Sequence, residues 1–472
     1  MQAQLPIAVL GAGPVGLAAA AHLLQRGLTP LVFEAGASVG ANLASYRQVR
    51  LFSPWQYNID RAARALLDAH GWEAPAEDLL PTAGDLIDDY LAPLAALPAL
   101  APQLRLRHRV LAIARAGIDK VKTSGRELAP FVIRTDTPEG VREFQAAAVI
   151  DATGTWSQPN PMGANGLPAL GEDDCQAQIT YGMPDIQGTA RARYAGKRVL
   201  VVGAGHSAAG NLIALATLAD EAPGTSIVWA VRGASLARTF GGGEADQLPA
   251  RGLLGTRLQA LQASGKLEVH RNFRIQAVRP LAGKLQVQAE AGVDPITEID
   301  EIVVATGARP DLIMAQELRL RLDPWLESTD ALAPLIDPNL HSCGSVRPHG
   351  HRELAHPEPG YYAVGAKSYG RAPNFLMATG YEQVRSVVAA LAGDMAAADD
   401  VQLELPETGV CVTRPLTEDA PAAGGCCGSP SPAPASCCGG PAPEPASACC
   451  VKDADLQAAG KGTCGSRTGT CA

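Results

Sequence analysis

Before Cys411 the chain has only two cysteines, Cys175 and Cys343, and neither Cys-x-x-Cys nor Cys-x-x-x-x-Cys occurs there. A closely spaced redox dithiol is therefore excluded from that part of the sequence. Positive charge is also short: 39 Lys and Arg against 48 Asp and Glu leave a net charge of −9 over 472 residues. Nucleic acid and anionic membrane surfaces are poor partners for such a chain. The apolar run from Leu17 to Leu24 stops at Gln25-Arg26-Gly27, far short of the roughly 20 residues that span a bilayer. The first apolar segment runs straight into Gly11 with no basic stretch before it. No signal peptide is read, and the expected location is the cytoplasm. Neither a Ser/His/Asp arrangement nor a catalytic pair of carboxylates stands out, and aromatic residues stop at Tyr381. The remaining class is an acidic enzyme of roughly two or three domains.

What the chain does have is a glycine turn that occurs twice, as Gly11-Ala12-Gly13-Pro14-Val15-Gly16 and as Gly203-Ala204-Gly205-His206-Ser207-Ala208. Each copy follows a short β-rich apolar run, Ile7 to Leu10 or Val199 to Val202, and opens an Ala/Leu-rich helical stretch. In this context the pattern is a dinucleotide-binding turn. The first glycine permits the bend, the second lets backbone approach a pyrophosphate, and the third position packs helix against strand. The helix N-terminus adds unpaired N–H groups and partial positive charge. Two nucleotides are thus expected at once. The strand after the first helix ends at Glu34, 18 residues beyond Gly16, where a carboxylate accepts from an adenosine ribose and repels a 2′-phosphate, so FAD or NAD fits. The matching strand of the second unit ends at Arg232, which can pair with a 2′-phosphate and favours NADPH. The alternative for Arg232 is a solvated strand end.

Two further segments resemble each other, Val149-Ile150-Asp151-Ala152-Thr153-Gly154 and Ile302-Val303-Val304-Ala305-Thr306-Gly307. Both are apolar strands running into Ala-Thr-Gly, and they bracket the second turn. The expected fold is α/β, with two Rossmann-like dinucleotide-binding domains, the second inserted in the first. Residues 1–174 and 326–395 form the first domain and 175–325 the second. The chain returns through Gly360 to Gly365 and a helix beginning near Thr379-Gly380-Tyr381. Residues 396–472 are expected to be a flexible tail, because from Ala420 to Ala448 the chain is mostly Ala, Pro, Gly, Ser and Cys and cannot bury enough apolar surface to offset its ordering entropy.

The two turns, Glu34, the paired Ala-Thr-Gly segments and the late glycine-containing strand before Thr379-Gly380 together resemble the two-dinucleotide-binding-domain flavoproteins over about residues 5–395. Within that superfamily, Asp151-Ala152-Thr153-Gly154-Thr155-Trp156-Ser157-Gln158-Pro159-Asn160-Pro161 and Tyr194-Ala195-Gly196-Lys197-Arg198 are similar to the flavin-containing monooxygenase branch. The resemblance implies FAD held by Gly11, Gly13, Gly16 and Glu34, and NADPH held by Gly203, Gly205, His206, Ser207 and Arg232. It also implies hydride transfer to the flavin and reaction of the reduced flavin with O₂. Thr379, Gly380 and Tyr381 would start a helix whose positive end faces the flavin pyrimidine; the alternative is an ordinary helix cap. Asn58, in Leu51-Phe52-Ser53-Pro54-Trp55-Gln56-Tyr57-Asn58, is a candidate to hydrogen-bond oxygen held on the flavin, set against core packing by Phe52 and Trp55. Tyr181-Gly182-Met183-Pro184-Asp185-Ile186 lacks the histidine of ester-forming monooxygenases. Val364-Gly365-Ala366-Lys367 lacks the usual Gly-Asp pair, so Lys367 is expected to reach phosphate instead.

Nine of the 11 cysteines lie from Cys411 onward, and the adjacent pairs Cys426-Cys427, Cys437-Cys438 and Cys449-Cys450 recur at spacings of 11 and 12 residues. Adjacent thiols suit thiophilic ions such as As(III), Sb(III), mercury or copper(I) better than tetrahedral zinc. The pairs resemble those of metalloid chaperones and the C-terminal pair of mercuric reductases. They also fit a redox-sensitive tail without a specific ligand. The glycine-rich loop Phe240 to Pro249 could close over NADPH or be a surface loop, and His341, His349, His351 and His356 have no clear ligand spacing. The leading expectation is an FAD- and NADPH-dependent, monooxygenase-like oxidoreductase in arsenic or thiophilic-metal resistance, acting on a small molecule or metalloid with O₂. The alternatives are a metal-ion or disulfide reductase using tail dithiols, and a non-catalytic metalloid-binding chaperone.

Overall fold

A computed structural model of the protein describes residues 5–241, 249–340, 346–372 and 375–403. The chain opens with β1 (Ile7–Leu10), β2 (Pro30–Phe33) and β3 (Leu104–Arg105), continues through an antiparallel trio, β4 (Arg109–Arg115), β5 (Phe131–Thr137) and β6 (Gly140–Ala146), and reaches β7 (Ala148–Asp151). It then forms β8 (Ile179–Tyr181), β9 (Arg198–Val202), β10 (Ser226–Ala230) and β11 (Leu267–His270). A second antiparallel trio follows, β12 (Ile275–Leu281), β13 (Lys284–Ala289) and β14 (Ile296–Ile299), then β15 (Glu301–Val304) and, far later, β16 (Tyr361–Ala363).

Two parallel sheets result, ordered β16-β7-β1-β2-β3 and β11-β10-β9-β15-β8. Every strand of the second lies in sequence between β7 and β16, so the second sheet is inserted within the first, as the Ala-Thr-Gly bracketing predicts. All four residues of β1, of β2 and of β7 are buried, which is why these strands read as continuous apolar runs: a parallel sheet is covered on both faces.

Side chains of a strand alternate between faces, and the alternation assigns each face a cover. Ile7 and Val9 join a core with helix α1 (Pro14–Gln25), whereas Ala8 and Leu10 join one with Ile113, Phe131 and Ile133 of the first antiparallel trio. The second unit repeats this. Val199 and Val201 pack with the helix that follows β9, and Leu200 and Val202 pack with Ile275, Val278, Leu285 and Val287 of the second trio. Both sheets therefore have helix on one face and antiparallel sheet on the other, a regularity that leaves their strand ends free for the glycine turns. Among the described residues, no helix is long and apolar enough to cross a membrane.

Candidate dinucleotide sites

In the first sheet β1 lies between β2 and β7, and in the second β9 lies between β10 and β15. The chain leaves β1 for one neighbour and comes back later on the other side, and the same is true of β9. That reversal opens a crevice beyond the strand ends where α/β sheets bind ligands. Both glycine turns sit there. Gly11 has φ +91° and Gly203 φ +131°, values that side chains other than hydrogen rarely adopt. A Cβ on Gly11 would lie 2.8 Å from the carbonyl oxygen of Ala152, and one on Gly203 would lie 2.2 Å from that of Ala305. The two Ala-Thr-Gly segments therefore back the two turns at equivalent places. A Cβ on Gly16 would fall 1.9 Å from the Gly11 carbonyl oxygen, so the first turn demands glycine at its third position. The second turn accommodates the buried methyl of Ala208.

The middle glycines behave differently. Nothing lies within 4 Å of a Cβ built on Gly13 or on Gly205. The helices α1 and α2 (His206–Glu221) use these glycines as N-caps with no side-chain cap, leaving first-turn N–H groups to a ligand. Pro14, at the first position of α1, has no N–H to satisfy. Space at the middle glycine together with uncapped donors is what a pyrophosphate requires, so both turns fit the group that the sequence assigns to them.

Glu34 sits at the end of β2, where Oε2 accepts the Ala12 N–H at 2.8 Å and Oε1 accepts the Gly36 N–H at 2.7 Å. Its carboxylate is thus fixed by the turn itself and keeps further acceptor sites for hydroxyl donors. Arg232 follows β10 and is exposed, as are Gly205 and His206, while Ser207 is half-buried. The Trp229 indole donates to the Gly203 carbonyl at 2.8 Å and braces the second turn, a role that no local sequence signal announces.

One segment of the first unit reaches across to the second turn. Phe52 meets the ring of His206 edge-on at 5.3 Å, and the Gln48 amide donates to the Met183 carbonyl at 3.0 Å. The two passages between the sheets also run side by side. Thr306 Oγ1 donates to the Asn160 carbonyl at 2.7 Å, and the Asn160 N–H donates to the Gly307 carbonyl at 2.9 Å. The two turns are accordingly bridged at one place and tied at another.

Three expectations need correction, those for Asn58, Tyr381 and Lys367, whereas the late helix begins near Thr379 as expected. The Asn58 side chain is consumed by its own loop: its amide donates to the Ser53 and Pro54 carbonyls at 2.7 and 3.0 Å, and its oxygen accepts from Ser53 Oγ at 2.9 Å. It shapes the loop and has no spare donor for bound oxygen. The late helix, α3 (Met377–Leu391), starts two residues before Thr379. Gly380 is a packing position within it, since a Cβ there would lie 2.7 Å from Val15 and 2.8 Å from Phe375. The Tyr381 hydroxyl is taken by protein partners, donating to the Asn58 carbonyl at 2.7 Å and lying 3.7 Å from Met377 Sδ, and burial raises its pKa well above the ordinary tyrosine value. Lys367 does not reach toward phosphate: its ammonium is buried 2.6 Å from Asp151 Oδ2 and 3.1 Å from Thr153 Oγ1. With Ala366 where the acid of a Gly-Asp pair would stand, the next residue, Lys367, turns inward onto the acid at the end of β7.

His349, His351 and His356 each have a separate partner, the Arg347 carbonyl, Asp399 and the Arg321 N–H respectively. Among the described residues no group of three or more His, Cys, Asp or Glu could hold a metal ion. His341, the middle of the Phe240–Pro249 loop, and the pairs Cys426-Cys427, Cys437-Cys438 and Cys449-Cys450 lie outside the described residues.

Comparison with known proteins agrees with this geometry. Residues 9–77 match the NAD(P)-binding Rossmann-like domain, and residues 106–342 match the pyridine nucleotide-disulphide oxidoreductases. No curated protein sequence matches the chain. A bacillithiol disulfide reductase from Bacillus cereus is similar in structure, with a TM-score of 0.60 at 16% identity over 83% of this chain and 99% of that one. A cadaverine monooxygenase of desferrioxamine biosynthesis from Erwinia amylovora, solved with FAD, gives a TM-score of 0.58 at 14% identity over 89% of this chain and 100% of that one. A flavin monooxygenase from Stenotrophomonas maltophilia gives 0.52 at 21% identity over 83% of this chain and 98% of that one. These structures share the fold. With half of its length matched by the family model and both nucleotide turns in place, the chain belongs to the pyridine nucleotide-disulphide oxidoreductase family.

Proposed function

We propose that the protein is a cytoplasmic, NADPH-dependent FAD oxidoreductase of monooxygenase type, with FAD on the first turn and NADPH on the second. Residues 1–174 and 326–395 serve as the FAD domain and 175–325 as the NADPH domain. The observation that carries this reading is the pair of equivalent turns, each open at its middle glycine and bridged by the contact of Phe52 with His206. Glu34, anchored by two backbone N–H groups, receives ribose hydroxyls and repels a 2′-phosphate, which suits FAD. Arg232 at the second turn pairs with a 2′-phosphate, which suits NADPH. FAD, when bound, accepts hydride from the nicotinamide and delivers the electrons onward. The chain's own residues hold and orient: the N-termini of α1 and α2 take the pyrophosphates, and the Phe52 and His206 rings wall the passage between the turns.

O₂ and a small-molecule or metalloid substrate are the proposed acceptors. The one cysteine among the described residues, Cys175, is buried in the core of the second unit, which makes it a poor relay from flavin to a disulfide. The tail pairs Cys426-Cys427, Cys437-Cys438 and Cys449-Cys450 then capture a thiophilic ion such as As(III), placing the enzyme in arsenic or thiophilic-metal resistance. A second reading, a metal-ion or disulfide reductase using the tail dithiols, draws on the disulphide chemistry of the matched family. Oxygen decides between them. For the monooxygenase, NADPH oxidation with substrate present consumes O₂ and stops anaerobically after the flavin is reduced. Continued anaerobic turnover with a disulfide or a metal ion would establish the reductase instead.

A further inference from the structure

The two passages between the sheets are bonded to each other along their length. Besides the bonds already given, the Asn160 side-chain amide donates to the Thr306 carbonyl at 3.1 Å, and the Arg309 N–H donates to the Gln158 carbonyl at 2.9 Å. Two adjacent connections fix where the units meet, yet by themselves they act as a hinge about which one unit can turn. The angle between the units is set elsewhere, at Gly182 and Met183 just after β8. On one side this pair is held by α2. The buried Asn211 side chain donates to the Gly182 carbonyl at 2.9 Å, and a Cβ on Gly210 would lie 2.9 Å from Met183 Cε. On the other side the pair meets the first unit. Gly182, at φ +87°, lies so close to the Trp156 indole that a Cβ there would come within 2.9 Å of the ring, and the Met183 carbonyl accepts from the Gln48 amide at 3.0 Å. Trp156 is itself fixed in the first unit: its N–H donates to Ser45 Oγ at 2.8 Å, and its ring centroid is 4.5 Å from that of Tyr46.

We infer that Gln48 and Trp156, acting through Gly182 and Met183, are positioning residues for hydride transfer: they set the angle at which α2, and with it the second dinucleotide turn, faces the first. The inference rests on the assignment of FAD to the first turn and NADPH to the second. Gly210 stands four residues after His206, the first residue of α2, so its contact with Met183 is about 6 Å along the helix from the N-terminus that takes the pyrophosphate. A shift at Met183 moves that turn with it, because both are held by one helix. The hydride, a proton with two electrons, leaves NADPH as NADP⁺ and reduces FAD, and it passes only when the reacting atoms are about 3–3.5 Å apart. A misplacement of about 1 Å can cost roughly 100-fold in rate. Gln48 and Trp156 need touch neither cofactor to have this effect.

The test uses the full chain with p-acetylphenylalanine in place of Leu128 and of Leu281, exposed residues of the first and second unit, each carrying a spin label. Double electron–electron resonance should give one narrow distance in the parent, and a broadened or second distance when Gln48→Ala and Trp156→Ala are combined. Anaerobic stopped-flow with NADPH reads the consequence. The limiting rate of flavin reduction should fall at least about tenfold in that double variant, with the apparent Kd for NADPH unchanged. Trp156→Phe in place of Trp156→Ala keeps a ring against Gly182 and should restore most of the rate. Gln48 is exposed, so Gln48→Ala alone keeps the fold and should still slow reduction about threefold, the range of one neutral hydrogen bond. An unchanged distance distribution, an unchanged limiting rate, or a loss that appears in the Kd instead would overturn the inference. The spin-label distance needs no flavin. A colourless protein whose distances spread in the double variant therefore defeats only the cofactor assignment, and a yellow, NADPH-reducible protein whose double variant keeps one distance defeats only the positioning.

Discussion

Lys367 Nζ lies 2.6 Å from Asp151 Oδ2, with the two side chains 1% and 0% exposed. The Tyr361 hydroxyl donates to the same oxygen at 3.0 Å, and Asp151 Oδ1 accepts from Thr153 Oγ1 at 2.7 Å. The ion pair thereby ties β16 and the loop after it to the first Ala-Thr-Gly crossing, just behind the Gly11 turn. Lys367→Met strands the buried carboxylate, and equilibrium urea unfolding should show a loss of about 3–5 kcal/mol. A loss below about 1 kcal/mol, the range of exposed pairs, would mean that the pair does not hold this junction.

The glycines of the first turn separate fold from binding. Gly11→Ala meets a backbone oxygen at 2.8 Å from an unfavourable φ, so it should lower the melting temperature. Gly13→Ala and Gly205→Ala meet nothing within 4 Å and should change stability by no more than about 0.5 kcal/mol. Their effect falls on the ligand: Gly13→Ala lowers flavin content and Gly205→Ala raises the KM for NADPH. Thermal unfolding, flavin absorbance and steady-state kinetics on the three variants check the split. Equal destabilisation by all three would contradict it.

Arg232 should set the choice of nicotinamide cofactor. Losing a hydrogen bond to a charged group costs about 1.5–3 kcal/mol, so Arg232→Ala should lower kcat/KM for NADPH by roughly 10- to 150-fold and leave NADH nearly unchanged. Equal losses with both cofactors would place Arg232 outside the 2′-phosphate contact.

Burial pushes His356 down to about 4 and lowers His349 as well, against an ordinary histidine value of about 6.5. His356 Nδ1 accepts the Arg321 N–H at 3.3 Å, a bond that protonation of Nδ1 forbids. Between those pH values the unfolded chain binds protons that the folded chain refuses. Stability is therefore full above about pH 6.5 and falls as pH drops toward about 4, by up to about 1.4 kcal/mol per pH unit for each histidine. His356→Asn should make urea midpoints less steep over that range. An unchanged slope would remove His356 from the balance.

The repeated elements were legible because local rules govern them. Ile7–Leu10 is a strand as read, and the helices after both turns begin within one residue of the expected start, since a glycine turn between an apolar run and an alanine-rich stretch leaves little choice. The antiparallel trios that cover the far faces are not legible in the same way: β5 alternates along its whole length, but which strands pair with it is set by contacts that spacing does not announce. The errors at the site have one cause. Asn58, Tyr381 and Lys367 were assigned to ligands by their position in the chain, yet their polar atoms are taken by Ser53, by the Asn58 carbonyl and by Asp151. Sequence position predicted that these residues would be near the site; only tertiary contacts decide which of them face it.

The central claim is that one chain holds two dinucleotides and passes hydride between them. Anaerobic titration of the purified yellow protein with NADPH tests it most directly. The account predicts that one equivalent of NADPH per flavin bleaches the flavin absorbance, and that Gly205→Ala retains the flavin but requires a large excess of NADPH to reduce it. A protein that purifies without flavin, or a bound flavin that NADPH does not reduce, would contradict the account.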